Sequence, residues 1–209
     1  MSGAIDYNKY PHFDMSEVIH ELEFGFKTYQ VLRPLKKGDD VPDFIFEKDN
    51  HRWQQFANGV ETHGSVYLLQ LLNKPLVVAF YSPHWQNYGL DLLKQLDKLQ
   101  QSVKNNRANL LIVTPEKERK LEKTAWDNNL SLSFYFDAEN IVAESFGIYS
   151  DSDPVWNRFS GVDNNVPLLA TYVISPQGKI LFDHIDWDFS GSLAAEELLS
   201  SINGAKDNT

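Results

Sequence analysis

Lys74-Pro75-Leu76-Val77-Val78-Ala79-Phe80-Tyr81-Ser82-Pro83-His84-Trp85-Gln86-Asn87-Tyr88-Gly89-Leu90-Asp91 is the stretch whose reading decides the fold. Its run over 76–81 is apolar, β-branched and aromatic, the composition of a buried strand. Pro83 breaks that run, and apolar residues then return at helical spacing. Strand, tight loop and helix are therefore expected. Helix N-termini carry unpaired N–H groups and the positive end of the helix dipole, so chemistry on α/β folds is often placed at such turns. His84, Trp85, Gln86 and Tyr88 occupy this one, and no strong nucleophile stands among them.

Beyond the turn, Leu92, Leu96, Leu99 and Val103 recur at helical spacing, while Asp91, Lys94, Gln95, Lys98 and Gln101 fall elsewhere. That pattern predicts an amphipathic helix. A second buried strand is expected over 109–114, stopped by Pro115, then a charged helix over 116–129 with Leu121, Ala125 and Trp126 facing inward. Strand, helix, strand, helix with short links implies a βαβ unit and a parallel pair. A strand over 132–136 and a helix over 140–146 ending at Gly147 come next, then a polar connection over 149–166 plugged by Trp156 and Phe159. The strands expected over 170–174 and 179–185 flank Ser175-Pro176-Gln177-Gly178, the turn chemistry of an antiparallel hairpin. A last helix over 192–202 takes Ser192 as its cap.

Upstream, residues 1–13 read as a loose polar arm, and 16–30 as a helix capped by Ser16, with Val18, Ile19, Leu22 and Phe26 on one face. Residues 36–46 are a turn leading into a short extended segment, and 47–63 a loop or short hairpin anchored by Trp53 and Phe56. Val66, Leu68, Leu69, Leu71 and Leu72 predict a short helix that delivers the chain to the strand at Pro75. The expected division is an N-terminal arm and helix over 1–35, one domain over 36–203 and a tail over 204–209.

A net charge of −10 with no basic cluster disfavours nucleic acid and anionic membranes as partners, because both demand Lys and Arg against phosphate. No apolar run approaches the length of a membrane-spanning helix, and 1–10 lacks a charged-then-apolar leader pattern, so a soluble cytoplasmic protein is expected. The cysteine count is 0. That removes disulfides, thiolate zinc sites, cysteine nucleophiles and thiol redox cycles together.

Four segments taken in order carry a resemblance: Gly38-Asp39-Asp40-Val41-Pro42-Asp43-Phe44, then 77–91, then Phe136-Asp137-Ala138-Glu139 through Phe146-Gly147, and Ala170-Thr171-Tyr172-Val173-Ile174-Ser175-Pro176-Gln177-Gly178-Lys179-Ile180. Together they resemble the peroxiredoxin-like alkyl hydroperoxide reductase/thiol-specific antioxidant family, over 36–203. The resemblance implies a thioredoxin-like α/β fold, a central mixed β-sheet with helices on both faces, here with an N-terminal helical arm. It also implies thiol peroxidase chemistry. The closest branch carries Phe-Tyr-Arg-Gly-x-Trp-Cys-Pro-Tyr-Cys at the catalytic turn, where this chain has Phe80-Tyr81-Ser82-Pro83-His84-Trp85-Gln86-Asn87-Tyr88-Gly89. Phe80, Tyr81, Trp85 and Tyr88 keep the frame. Gln86 stands where the resemblance puts the peroxide-attacking cysteine, and Gly89 where it puts the second. The family also sets a cis-proline opposite the turn; in one register Leu169 replaces it, in another Pro167 is that residue.

Peroxide reduction of that type needs a thiolate that attacks oxygen and becomes a sulfenic acid. A glutamine amide is not ionised, and the only methionines, Met1 and Met15, lie in the N-terminal arm. The expectation is a redox-inactive pseudoenzyme that binds or scaffolds at the former active-site turn through His84, Trp85, Gln86, Tyr88 and Leu169, with no cofactor and no metal. Its partner is expected to be a protein or a small-molecule ligand, with a homodimer as one arrangement. A competing expectation is non-thiol catalysis by His84 with a carboxylate such as Asp91. Another is a divalent metal at His184, Asp186 and Asp188, which alternate along Asp183-His184-Ile185-Asp186-Trp187-Asp188. A further reading makes the chain a partner subunit of a cysteine-bearing peroxiredoxin. Trp85 and Tyr88 either line a small pocket with Gln86 or pack the turn. Trp53, Trp126, Trp156 and Trp187 are expected as core or loop plugs, and the mixed-sign run Lys117 to Lys123 as a solvated helix face.

Overall fold

The computed structural model describes residues 31–46, 54–55, 66–116, 118–159, 161–187 and 192–204. The arm and helix expected over 1–30, Trp53, Phe56 and Asp188 lie outside the described residues.

Two short strands, β1 (Ile45–Phe46) and β3 (Val66–Tyr67), pair antiparallel as a separate ribbon. Between them β2 (Gln54–Gln55) adds itself to the edge of the main sheet, where the sequence had suggested only a loop or hairpin. The short helix expected from Val66 begins two residues later, as α1 (Leu68–Leu71), because Val66 and Tyr67 are held in the ribbon. The Gln70 side chain accepts the Tyr67 N–H at 2.9 Å and closes the helix start.

The main sheet is built from the apolar runs of the sequence. β4 (Leu76–Phe80) is buried at every position, as a strand covered on both faces must be. It is followed by α2 (Gln86–Asn105), β5 (Asn109–Thr114), α3 (Glu118–Asp127), β6 (Ser133–Phe136), α4 (Ile141–Ser145), β7 (Ala170–Ile174), β8 (Ile180–Ile185) and α5 (Ala195–Gly204). The strand order is β2-β6-β5-β4-β7-β8, with β4, β5 and β6 parallel and β2, β7 and β8 antiparallel to their neighbours. The steps β4 to β5 to β6 run the same way across the sheet, so right-handed crossovers set α2 and α3 on one face. Phe146, just after α4, packs on the other, its ring centroid 5.0 Å from those of both Phe80 and Tyr172. This is a mixed sheet with helices on both faces, the thioredoxin-like α/β arrangement. No helix among the described residues is long and apolar enough to cross a membrane.

Two turns show why the chain reverses where it does. In the β7–β8 hairpin the Ser175 hydroxyl accepts the N–H groups of Gln177 and Lys179, and Gly178 takes φ +80°. After α4, Gly147 takes φ +67° and its N–H returns to the Glu144 carbonyl at 2.8 Å. Any Cβ at Gly147 would also fall 2.1 Å from the Arg33 carbonyl oxygen, so the close approach of the 33–34 backbone excludes a side chain.

Several expectations are corrected. α3 ends at Asp127 and turns Leu121 and Ala125 inward, but Trp126 is 84% exposed, since one residue rotates it about 100° from Ala125. Leu130, whose N–H bonds the Ala125 carbonyl, takes the inward place after the helix. Trp156 and Trp187 are about half exposed rather than plugs, whereas Phe159 is buried. The last helix starts at Ala195, not after a Ser192 cap, because the Leu193 N–H is held by the Gln95 side chain of α2 at 3.1 Å.

Candidate functional site: the turn after β4

Local hydrogen bonds shape the turn. Ser82 is extended, and its hydroxyl accepts the His84 N–H at 3.3 Å, capping a single 3-10 turn, Pro83–Trp85. Pro83 lies at the start of that turn, where its missing N–H costs nothing. The Trp85 N–H then bonds the Ser82 carbonyl at 3.1 Å, and α2 begins at Gln86. Where the tight turn meets the helix, Gln86 takes φ 52° and ψ −127°, outside the small left-handed well that asparagine tolerates.

Each expected site residue has a definite place. Trp85 is only 2% exposed; its indole N–H donates to the Pro167 carbonyl at 2.7 Å and its ring meets Phe159 edge-on, centroids 5.3 Å apart. It packs the turn. Tyr88 is 48% exposed on the first turn of α2, and Gln86 is exposed beside it. His84 is half-buried, with Nδ1 2.9 Å from the Asn164 side-chain nitrogen. Leu169 is buried, and its carbonyl accepts the Asp186 N–H at 3.0 Å. The structure thus gathers His84, Trp85, Gln86 and Tyr88 at one turn, with Leu169 packed in the core at the head of β7. No cis peptide bond occurs among the described residues, so neither Pro167 nor Leu169 supplies that feature.

The inner side of the turn is closed. A Cβ at Gly89 would lie 3.0 Å from the Ser82 carbonyl oxygen, 3.0 Å from Tyr81 Cε2 and 3.2 Å from Trp85 Cβ. Tyr81 is itself buried, and burial pushes its hydroxyl pKa up to about 12; the Glu116 charge adds to the rise, and a hydrogen bond with Thr124 works against it. Position 89 therefore has no room for a second cysteine without movement of this wall.

The metal expectation fares differently at its residues. His184 lies in β8 opposite Thr171, Asp186 is buried just past the strand, and Asp188 is outside the described residues. Among the described residues no group of three or more His, Asp or Glu side chains is placed to hold a metal ion.

Pro167, which the family resemblance had set opposite the turn, does reach it, and Phe159, Gly161 and Asn164 reach it too. The polar, aperiodic composition around those three gave no sign of their contacts, which span about eighty residues of chain.

Residues 38–182 match the model of the AhpC/TSA family. The chain belongs to that family. A comparison with curated protein sequences finds no match. Among solved structures, the chain is similar to the peroxidoxin BcpB of Mycobacterium tuberculosis, with 22% identity, TM-score 0.59, and 81% of this chain and 97% of that one covered. It is also similar to a reduced 2-Cys peroxiredoxin of Plasmodium vivax, at 17% identity and TM-score 0.60, covering 84% of each chain. A third, AhpC of Mycobacterium tuberculosis, aligns at 14% identity and TM-score 0.61, over 84% of this chain and 96% of that one. At these identities the structural likeness speaks to the fold. Within the AhpC/TSA family this chain is a member with no cysteine.

Proposed function

We propose that this AhpC/TSA-family chain is redox-inactive and acts by binding, as a scaffold or receptor at the former catalytic turn. One observation carries the reading: the turn keeps its frame, with Trp85 buried and hydrogen-bonded, while position 86 bears an exposed amide in a chain that has no thiol. Gln86, Asn87, Tyr88 and Asn164 place exposed amide and hydroxyl groups at the turn, and such groups both donate and accept. That chemistry matches a peptide backbone on a partner protein. Proton transfer by His84 has less support, because the ring nitrogen meets an amide where a general base is ordinarily oriented by a carboxylate.

The test is consumption of hydrogen peroxide and an alkyl peroxide by the purified protein with a thiol reductant present. The rate of buffer alone is expected, and turnover well above it overturns the reading. Gln86→Cys serves as the companion protein. Its thiol stands at the N-terminus of a 20-residue helix and is expected to titrate below the free-cysteine value of about 8.5.

A further inference from the structure

A cleft of about 370 Å³ lies beside the C-terminal end of α4, and no residue of the turn after β4 lines it. Val31, Leu32 and Arg33 form one wall, and Glu144, Gly147 and Tyr149 the other. The two walls are tied together by backbone. The Leu35 N–H donates to the Phe146 carbonyl at 3.0 Å and the Leu32 N–H to the Asp153 carboxylate at 3.0 Å, while Gly147, with no Cβ, lets the Arg33 carbonyl close in. The Tyr149 hydroxyl is held in turn by the Asp151 carboxylate at 2.7 Å. The cleft is therefore preformed, as small-molecule sites usually are, and its volume stands near the lower end of their range of about 300–1,000 Å³.

Arg33 and Glu144 bring opposite charges to opposite walls, both side chains are exposed, and among the described residues neither takes part in an ion pair. A ligand with a single charge is attracted by one of them and repelled by the other, so it gains little. A small ligand with both charges meets each with its opposite: a guanidinium forks a carboxylate, and a carboxylate accepts from an ammonium group. Val31, Leu32 and the ring of Tyr149 supply the apolar part of the lining, and Val31 is 45% exposed.

We propose that this cleft binds a free α-amino acid with an apolar side chain. Its carboxylate lies on Arg33, its ammonium group on Glu144, and its side chain against Val31, Leu32 and Tyr149. The site is separate from the turn after β4 and does not depend on what that turn binds.

Calorimetric titration of the full-length protein with L-leucine tests the assignment, and a Kd below about 1 mM is expected. Two analogues each remove one charge: 4-methylpentanoate lacks the ammonium group, and leucine methyl ester lacks the carboxylate. Each is expected to bind the natural protein at least about ten-fold more weakly than leucine. Arg33→Gln and Glu144→Gln, both at exposed positions, are each expected to weaken leucine about ten-fold. Arg33→Gln is expected to leave the ester no weaker, because the ester has no carboxylate for the guanidinium to hold. No leucine binding at about 10 mM overturns the proposal, as does either analogue binding as tightly as leucine. Equal losses for leucine and its ester in Arg33→Gln also overturn it. Glutamate or lysine binding more tightly than leucine overturns the apolar side chain. Peroxide turnover bears on the turn after β4 alone and leaves these constants as they are.

Discussion

Gly147 and Gln86 both carry the backbone through positive φ, at 67° and 52°, yet only the first is a glycine. Behind α4 the chain spends its freest residue on a tight reversal, and the neighbouring 33–34 backbone fits into the space that a Cβ would fill. At the turn after β4 a long polar side chain sits where glycine would be at ease. The first region is shaped for folding. The second keeps a conformation that folding alone gives no reason to keep, and outliers of that kind cluster at functional sites.

The sharpest way to break the contrast is to treat Gly147 as Gln86 has been treated. Gly147→Ala meets both the left-handed penalty and a backbone oxygen at 2.1 Å, so a loss of more than about 3 kcal/mol is expected. Urea midpoints of the purified proteins measure it. A loss below about 1 kcal/mol would show that the 33–34 segment yields easily and that Gly147 is no more constrained than a free turn.

Alkali reads how tightly the inner wall of the other turn is closed. The Tyr81 hydroxyl is raised from 10.0 to about 12 in the folded protein, first by burial. Below pH 10 folded and unfolded chains both hold the proton, and the contribution is fully present. Between pH 10 and 12 only the unfolded chain releases it, so stability falls by about 1.4 kcal/mol per pH unit until Tyr81 itself ionises. Tyr172, also buried, is raised in the same direction and adds to the fall. Tyr81→Phe is expected to flatten the decline measured by urea unfolding at pH 9, 10 and 11. Parallel declines in the two proteins would mean that Tyr81 is open to water and the wall is loose.

Gly89→Ala asks the same question by volume. In an open helix this exchange gains up to about 1 kcal/mol of propensity. Here the new methyl presses on the Ser82 carbonyl, on Tyr81 and on Trp85, all buried and none able to retreat into solvent. Overpacking of that kind costs about 1–3 kcal/mol, so a net loss near 1 kcal/mol is expected in the urea midpoint. A gain would show that position 89 can admit a side chain, and with it the second cysteine of the family signature.

Much of this architecture was legible because it is written in local pattern. The apolar run over 76–81, the helical spacing from Leu92 to Val103, and the Ser175 to Gly178 turn each determine their own geometry within a few residues. That a helix follows the turn after this strand was legible too, and it begins at Gln86. Contacts across the chain were not. Trp156 and Trp187 look like core residues by type, yet are half exposed, and nothing in their neighbours announces it. The sequence around Phe159 and Pro167 carries no periodicity, and both meet Trp85 only across the fold. Nor does a sequence show that one residue of a helix start is bent out of its favoured range, since Gln86 is an ordinary helix former by type.

That last point yields the smallest effect and the most pointed one. Gln86→Gly removes the strained Cβ, a gain of about 1–3 kcal/mol, and gives back some of it as glycine's extra freedom in the unfolded chain, about 0.5–1 kcal/mol. The lost contact to Gly161 is long, 3.4 Å, and exposed, so it subtracts little. A net stabilisation of about 1 kcal/mol is expected in urea unfolding. Asn140→Gly is the comparison to make beside it, because Asn140 sits in the ordinary left-handed well, φ 57° and ψ 24°, which asparagine tolerates. Its change is expected to stay within about 0.5 kcal/mol. If Gln86→Gly proves neutral or destabilising while Asn140→Gly stays within about 0.5 kcal/mol as expected, the Gln86 side chain contributes more to the folded state than its strain removes, and position 86 then belongs with Gly147 as a residue chosen for folding.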